Sequence, residues 1–423
     1  MTSRPGTVVA VLHDGYFGAG TGAGHSNRAF LDVTATLLAP GVRLAVLPVE
    51  LGPPSPEYDP AWHAAARTVI HEAGGEVIPV GNGTAGMTRF GGLPQFREAC
   101  SSAAAVVTAL LPDAGRLLVT AFDAPFFGMA PRLPQAARPA LVSVVRSAAD
   151  WHAPDDTARA RWEHDGLRAT VAGGGRLAAI SQAVRTHLTT ELGIPGSAVV
   201  DLANGLTASE RHPSPDLPAA SRLLPPAAAG GFLLAYGRAA PYKGFDDLLD
   251  ALAILQGRGV PLPHTVLAAV TEDPQPSQYQ QHLARRISAG QLDVTLLTAY
   301  SPAVRSLLSH PHLAGIVVPS RAEPAGRIPL EAFAAGASPV IATSAGGLAE
   351  TVTEGQTGYS ARPADPASLA RALHRALAAP PAEHARLLQA GRRMLADRYD
   401  YTANVSAFLA RAAPWALRTC QSA

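Results

Sequence analysis

Short apolar runs alternating with amphipathic helical stretches fill most of this 423-residue sequence, and they constrain its fold more than any other feature. Candidate strands fall at 8–12, 44–49, 76–80, 117–121, 141–145, 177–180 and 199–202. A strand that is apolar throughout, rather than at alternate positions, belongs in a sheet buried on both faces. Helical segments between such strands supply the crossovers that parallel pairing requires.

The pattern stops at 206–231, LTASERHPSPDLPAASRLLPPAAAGG, where Pro, Ala and Gly dominate as in an inter-domain linker. A second series follows, with strands at 232–235, 266–270, 294–297, 316–318 and 340–342. Phe245, Leu248, Leu249, Leu252 and Leu255 share one face of its first helix, and Leu369, Leu373 and Leu377 form a similar stripe. Both stripes read as core. The expected class is α/β, with two doubly wound Rossmann-like domains at 1–205 and 232–397, a linker at 206–231, and a C-terminal segment at 398–423 that is amphipathic over 401–417. Ligands bind such sheets at the carboxyl ends of the strands.

Composition narrows the function classes. The 34 basic and 33 acidic side chains leave a net charge of +1, which gives no general attraction to nucleic acid or anionic membrane. Phosphate recognition must then be local. The two cysteines, Cys100 and Cys420, form no CxxC or Cys/His cluster, so no structural zinc site is expected. Two isolated thiols suit a reducing compartment. The short N-terminus before the first strand lacks the apolar stretch of a signal peptide, and no apolar run is long enough to span a bilayer. A cytoplasmic protein without stable membrane insertion is expected.

Three segments carry chemistry. In PSRAEPAGRIPLEAFAAG (319–336), Glu323 and Glu331 are separated by seven residues, with Ala325-Gly326 leading into a helix. A glycine at a helix start lets a ligand approach the backbone, where unpaired N–H groups face an anion. One carboxylate can accept from sugar hydroxyls and the other from a ribose diol. In YGRAAPYKG (236–244), Arg238 and Lys243 follow Gly237 at a strand-to-helix turn, where two cations can clamp a diphosphate and offset charge on a departing nucleotide. In SAGGLAETVTEGQTG (344–358), Gly346-Gly347 precede a helix bearing Glu350.

In this order, these motifs resemble the family-4 retaining glycosyltransferases of the GT-B fold, tightly over 232–366 and more loosely before that. The resemblance implies two Rossmann-like domains facing across a cleft, with the C-terminal helix crossing back onto the N-terminal one. It implies that Arg238 and Lys243 hold the donor diphosphate, Glu323 meets the donor sugar and Glu331 binds the ribose. Gly326, Arg327 and their neighbours through Leu330 offer backbone contacts, with Gly237, Gly346 and Gly347 at the rim. In the N-terminal half, Gly22-Ala23-Gly24 resembles the family's glycine turn, here before a helix expected after Asn27. Asn204-Gly205 matches a structural position before the linker.

One residue departs from the family pattern: Phe122 stands where the family often carries a histidine that contacts the donor sugar. Asp123, beside it, is a candidate for orienting the acceptor, and His25, His152 and His164 are alternatives for polar contacts. Acceptor loops are expected at 81–92, 123–129 and 146–156. In the last of these, Trp151 offers a stacking face, and Asp150, Asp155 and Asp156 offer carboxylates for an amine.

The expected partners are a nucleotide sugar, with UDP the favoured carrier, and a small hydroxylated acceptor such as a sugar, aminocyclitol or natural product. Neither a cofactor nor a metal is expected: Asp246-Asp247 open a helix rather than forming an Asp-x-Asp site. Sequence leaves the base, sugar, acceptor and oligomeric state open. It also leaves open another GT-B enzyme, an epimerase or phosphorylase, and a non-catalytic sugar-nucleotide-binding protein.

Overall fold

A computed structural model describes residues 4–271 and 275–418. The chain divides into two compact units, leaving the first at Asn204, entering the second at Gly205, and returning to the first between Asp400 and Tyr401.

The first unit carries β1 (Gly6–Leu12), β2 (Arg43–Pro48), β3 (Glu76–Val77), β4 (Arg116–Phe122), β5 (Leu141–Val145), β6 (Arg176–Ala179) and β7 (Val199–Asp201). They form one sheet in the order β3-β2-β1-β4-β5-β6-β7, with every pairing parallel. The second unit carries β8 (Phe232–Arg238), β9 (His264–Thr271), β10 (Val294–Ala299), β11 (Leu313–Val318), β12 (Val340–Thr343) and β13 (Tyr359–Ala361). Their order is β10-β9-β8-β11-β12-β13, again parallel throughout. In each sheet the chain works outward from one central strand, then jumps to that strand's other side. The reversals, at β1/β4 and β8/β11, are the switch points beside which doubly wound sheets hold ligands.

The period-two alternation of strand side chains builds both layers of the second unit. Leu234, Val266, Ile316, Val318, Val340 and Ala342 enter one core. Leu233, Ala235, Leu267, Ala269, Val317 and Ile341 enter the other. The second core is closed by Phe245, Leu248, Leu249, Leu252 and Leu255 of helix Phe245–Gly257 and by Leu369 and Leu373 of helix Pro366–Ala378, with Leu377 partly buried beside them.

The segment whose composition suggests a linker is built into the second unit. It contains short helices Ala208–Arg211 and Leu217–Ser221 and a 3-10 turn at Pro226–Gly230. Leu206, Ala220 and Ala228 are buried in that unit's core. Each helix has its own cap: Thr207 and Glu210 form a capping box, and Asp216 accepts from the Ala219 N–H. Helix Tyr401–Ala412 belongs to the first unit, where Phe408 meets Phe30. Cys100 is buried there, and burial pushes its thiol up to about 12. Cys420 lies outside the described residues. Among the described residues no helix is long and apolar enough to cross a membrane.

Candidate active site

The switch point of the second unit gathers most of the residues that sequence singled out. Arg238 is the last residue of β8, and Lys243 closes the 3-10 turn Pro241–Lys243 that follows. Gly244 then opens helix Phe245–Gly257 with φ 67°. A Cβ at Gly244 would lie 1.9 Å from the Pro319 carbonyl oxygen, so only glycine lets the β8 loop press against the loop leaving β11. The same contact is fixed by Arg321, whose N–H donates to the Tyr242 carbonyl at 2.7 Å. The Arg321 guanidinium clasps the Asp247 carboxylate through two bonds, of 2.6 and 2.7 Å.

With the loops in register, Lys243 Nζ donates to Glu323 Oε2 at 2.6 Å. Both side chains are mostly buried, 18% and 15% exposed. Burial alone would depress the Lys243 pKa. The Glu323 carboxylate, Tyr242 and the direct bond outweigh it and raise the pKa above the ordinary lysine value, so the ammonium stays charged. Arg238 is exposed and lies near enough to oppose the Lys243 charge.

Glu323 leads into Gly326, whose left-handed backbone (φ 72°) starts helix Arg327–Ala335 without a side-chain cap. That start presents the positive end of the helix dipole beside Lys243 and Glu323. Pro329 falls in the first turn, where a missing N–H costs no intrahelical bond. The arrangement suits an anion with hydroxyl groups next to it.

The glycines here are also demanded by packing. A Cβ on Gly346 would lie 2.3 Å from the Glu323 carbonyl oxygen, and one on Gly347 would lie 2.5 Å from the Ala325 Cα. The Gly347 N–H donates to the Glu323 carbonyl at 2.9 Å, so the loop after β12 holds Glu323 in place. A Cβ on Gly237 would lie 3.8 Å from Cδ and Cε of the Lys243 stem. Leu330 is buried in the core, which leaves only its backbone for a ligand.

Glu331 sits in a network that the spacing of the two glutamates does not reveal. Its carboxylate accepts from Tyr236 Oη at 2.8 Å and from Arg327 Nε at 2.8 Å, and Arg305 Nη2 lies 3.2 Å away. Burial, then the Glu331 charge, pushes the Tyr236 phenol well above its ordinary value. Arg327 also bonds Glu210 and reaches the Gly205 carbonyl at 3.4 Å. Its side chain is a strut between the helix and the start of the second unit. Tyr236 and Arg305 escape sequence reasoning, although Tyr236 stands two residues before the cation already singled out.

The remaining candidates belong to the first unit. Gly22 and Gly24 lie inside helix Gly22–Leu37, not in a turn before a helix that starts after Asn27. Thr21 caps this earlier start by accepting from the Gly24 N–H at 2.9 Å, and its hydroxyl donates to Asp14 Oδ2 at 2.6 Å. Phe122 is fully buried, packed edge-on against Phe30 and under the Arg146 guanidinium. Asp123 follows it with φ 75°, is buried, and accepts from the Ser147 hydroxyl at 2.7 Å. Trp151 packs on His187 with ring centroids 4.5 Å apart. His152 ends the short helix Ala149–His152 and is half-buried. Asp150 pairs with His164 at 2.8 Å and His187 at 3.1 Å. Asp156 caps helix Thr157–Ala172, and His25 meets Trp62 edge-on. These contacts give Asp150, Asp156 and the Trp151 ring structural partners.

Residues 227–394 match the family model described as Glycosyl transferases group 1, a span that includes Arg238, Lys243, Glu323, Glu331, Gly346 and Gly347. The glycogen synthase of Mycobacterium tuberculosis is 35% identical over 232 residues, 52% of this chain and 51% of that protein. The chain thus spans about half the length of the curated relatives it matches. Among solved structures, the sucrose-phosphate synthase of Thermosynechococcus elongatus superposes with a TM-score of 0.72 at 20% identity, covering 95% of this chain and 97% of that one. Anabaena HepE, solved with UDP-glucose, superposes with a TM-score of 0.66 at 18% identity, covering 96% and 99%. The fold is GT-B, and residues 227–394 carry the sequence pattern of the group 1 glycosyltransferases.

Proposed function

We propose that this protein is a retaining, metal-independent glycosyltransferase that moves a sugar from a UDP-sugar to a small hydroxylated acceptor. One observation carries the reading: the Lys243–Glu323 pair lies at an uncapped helix start, with Arg238 beside it. In this reading the donor diphosphate takes the place of Glu323 as the partner of Lys243. The released carboxylate then accepts from hydroxyls of the donor sugar. Glu331 receives the ribose diol by giving up a bond to Tyr236, Arg327 or Arg305. The Anabaena complex with UDP-glucose supports UDP as the carrier.

The acceptor hydroxyl attacks the anomeric carbon on the face the diphosphate leaves. A new carbon–oxygen bond forms as the bond to phosphate breaks, and the hydroxyl proton passes to a departing phosphate oxygen. Arg238 and Lys243 stabilise the charge that builds there. The reading uses no metal.

A melting-temperature screen against UDP-, GDP-, ADP- and dTDP-sugars tests the donor. The right donor stabilises by mass action, about 2.7 kcal/mol at a hundred times its Kd. With it, Lys243→Ala or Arg238→Ala lowers turnover by about a hundredfold or more, on the scale of one lost oxyanion donor, while the fold survives. Near-parent turnover in both variants refutes the assignment.

A further inference from the structure

We propose that Tyr236 is a positioning residue of the donor site: its hydroxyl fixes one oxygen of the Glu331 carboxylate for the ribose of the nucleotide, while Arg305 is the partner that yields to the incoming hydroxyls. The inference rests on the transfer reading above and deepens it by naming what orients the ribose-binding carboxylate.

A glutamate's last torsion is broad, so one bond to its carboxylate leaves the plane of the group free to turn. Glu331 is held at both oxygens, from two elements. On Oε1, Arg327 Nε donates at 2.8 Å from the first turn of the same helix, and Arg305 Nη2 lies 3.2 Å away. On Oε2, Tyr236 Oη donates at 2.8 Å from β8. The bond from the far side of the helix is therefore the one that fixes the carboxylate plane. The three partners differ in how readily they can leave. Arg327 is 9% exposed and is tied as well to Glu210 and the Gly205 carbonyl. Arg305 is 40% exposed, comes from the four-residue helix Ala303–Ser306, and makes the longest of the three contacts. A half-exposed ion pair is worth little, because water compensates both charges when it opens. Glu331, itself 10% exposed, is thus uncovered at least cost by moving Arg305.

β8 is built to deliver this contact. Its residues run apolar and buried from Phe232 to Ala235, and the phenol comes directly after them. By the two-residue period of a strand, Leu234, Tyr236 and Arg238 share one face. Leu234 is core, the Tyr236 ring packs against that core, and Arg238 at the strand end is exposed. One face of one strand therefore carries the donor to Glu331 and the cation assigned to the diphosphate. Burial, then the Glu331 charge, keeps the phenol protonated well past its ordinary range. Tyr236 thus adds a hydrogen bond at Oε2 without adding a positive charge, and the carboxylate keeps its strength as an acceptor.

The test measures calorimetric Kd values of the full chain for UDP, 2′-deoxy-UDP and 3′-deoxy-UDP, in the parent and in Tyr236→Phe. The parent is expected to prefer UDP over at least one deoxy analogue by about tenfold, the scale of one hydrogen bond to a charged group. Tyr236→Phe weakens UDP by about tenfold and that analogue by no more than about twofold, so the preference disappears. A coupling of this kind marks two groups that act through one another. With the UDP-sugar as donor, its KM rises in step while kcat stays within about twofold, because the ribose contact is the same before and during bond breaking. Equal losses for all three nucleotides mean that the phenol only supports the fold, and they overturn the proposal, as does a preference left intact. Arg305→Ala removes the competing partner and tightens UDP by about two- to fivefold, the worth of a half-exposed ion pair, with the preference kept. Weaker UDP binding in Arg305→Ala overturns the proposal, and this variant decides alone if Tyr236→Phe does not fold. Should the parent bind UDP and both analogues equally, Glu331 does not read the ribose, and the donor reading fails together with this inference.

Discussion

At the second unit's switch point the buried charges are matched by opposite charges: Lys243 by Glu323, Glu331 by Arg327 and Arg305, and Arg327 also by Glu210. At the first unit's switch point the corresponding cation is solved differently. Arg146 is 4% exposed, yet its three donors end on neutral oxygens: Asn27 Oδ1 at 2.7 Å, Asn204 Oδ1 at 2.6 Å and Tyr401 Oη at 2.9 Å. The Phe122 ring lies under its guanidinium, 5.3 Å away. A cation paired with a carboxylate can exchange that carboxylate for a phosphate while its charge stays compensated. A guanidinium spread over three neutral acceptors has no such exchange available and acts as a fixed strut. The Lys243–Glu323 pair is built to trade partners, Arg146 to hold position.

The two arginines sharpen the contrast because they grip successive residues. Arg146 holds the Asn204 side chain, and Arg327 holds the Gly205 carbonyl, the residues between which the chain passes from one unit to the other. Arg146 also holds Tyr401, where the chain returns. If it is a strut, Arg146→Met leaves several buried oxygens unpaired, at a cost of about 3 kcal/mol or more to the first unit. The chain's four tryptophans, Trp62, Trp151, Trp162 and Trp415, all belong to that unit, so their emission during urea unfolding reports on it alone. An unchanged tryptophan transition in Arg146→Met breaks the comparison.

A matched pair of glycine substitutions separates the sites by a smaller amount. A Cβ on Gly24 would lie 2.5 Å from the Asp14 carboxyl, and one on Gly346 would lie 2.3 Å from the Glu323 carbonyl on a backbone with φ 50°. Gly24→Ala displaces Asp14 from the Thr21 hydroxyl and destabilises the first unit by about 1–3 kcal/mol, read as a lower urea midpoint in tryptophan emission. Gly346→Ala moves Glu323 instead, so it weakens the donor-induced melting shift and leaves the tryptophan transition in place. Identical responses from the two variants would show that the switch points are not independent.

Much of this was legible because parallel strands announce themselves. Twelve of the thirteen strands coincide with apolar runs, which the central strands need because they are buried on both faces. The exception, Tyr359–Ala361, has three residues and a serine in the middle, too little for any period to emerge. The start of helix Gly22–Leu37 was hidden by its glycines, which are poor helix formers; a tertiary bond from Thr21 to Asp14 sets it. Residues 206–231 look like a linker because Pro and Gly obscure helices as short as four and five residues, each made by its caps. At the site, glycine, cation and carboxylate types marked the loops that strand order later brings together. The partners of Glu331 were not legible, since Tyr236 and Arg305 come from other strands and helices, tens of residues away in sequence.

His13, which directly follows β1, provides the smallest and most selective test of the contrast. Its pKa lies below the ordinary imidazole value of 6.5, chiefly through burial. As pH falls through 6.5, the unfolded chain takes up a proton that the native ring, facing Asp14, Asp123 and Arg89, still refuses. The unfolded state then binds more protons, so native stability is greatest above that value and declines as pH drops toward the native pKa, by at most about 1.4 kcal/mol per pH unit. His13→Asn removes this contribution and leaves every other titrating group in place. Urea unfolding followed by tryptophan emission at about pH 7 and about pH 5 is expected to show a larger stability loss in the parent than in His13→Asn. Lys243→Ala has the opposite linkage: its raised pKa contributes stability below the ordinary lysine value that is lost only as pH rises through the native one. It therefore leaves the acid limb of the first unit unaltered. Parallel acid limbs in parent and His13→Asn would mean that the native ring takes up its proton in step with the unfolded chain, so that burial does not hold it neutral.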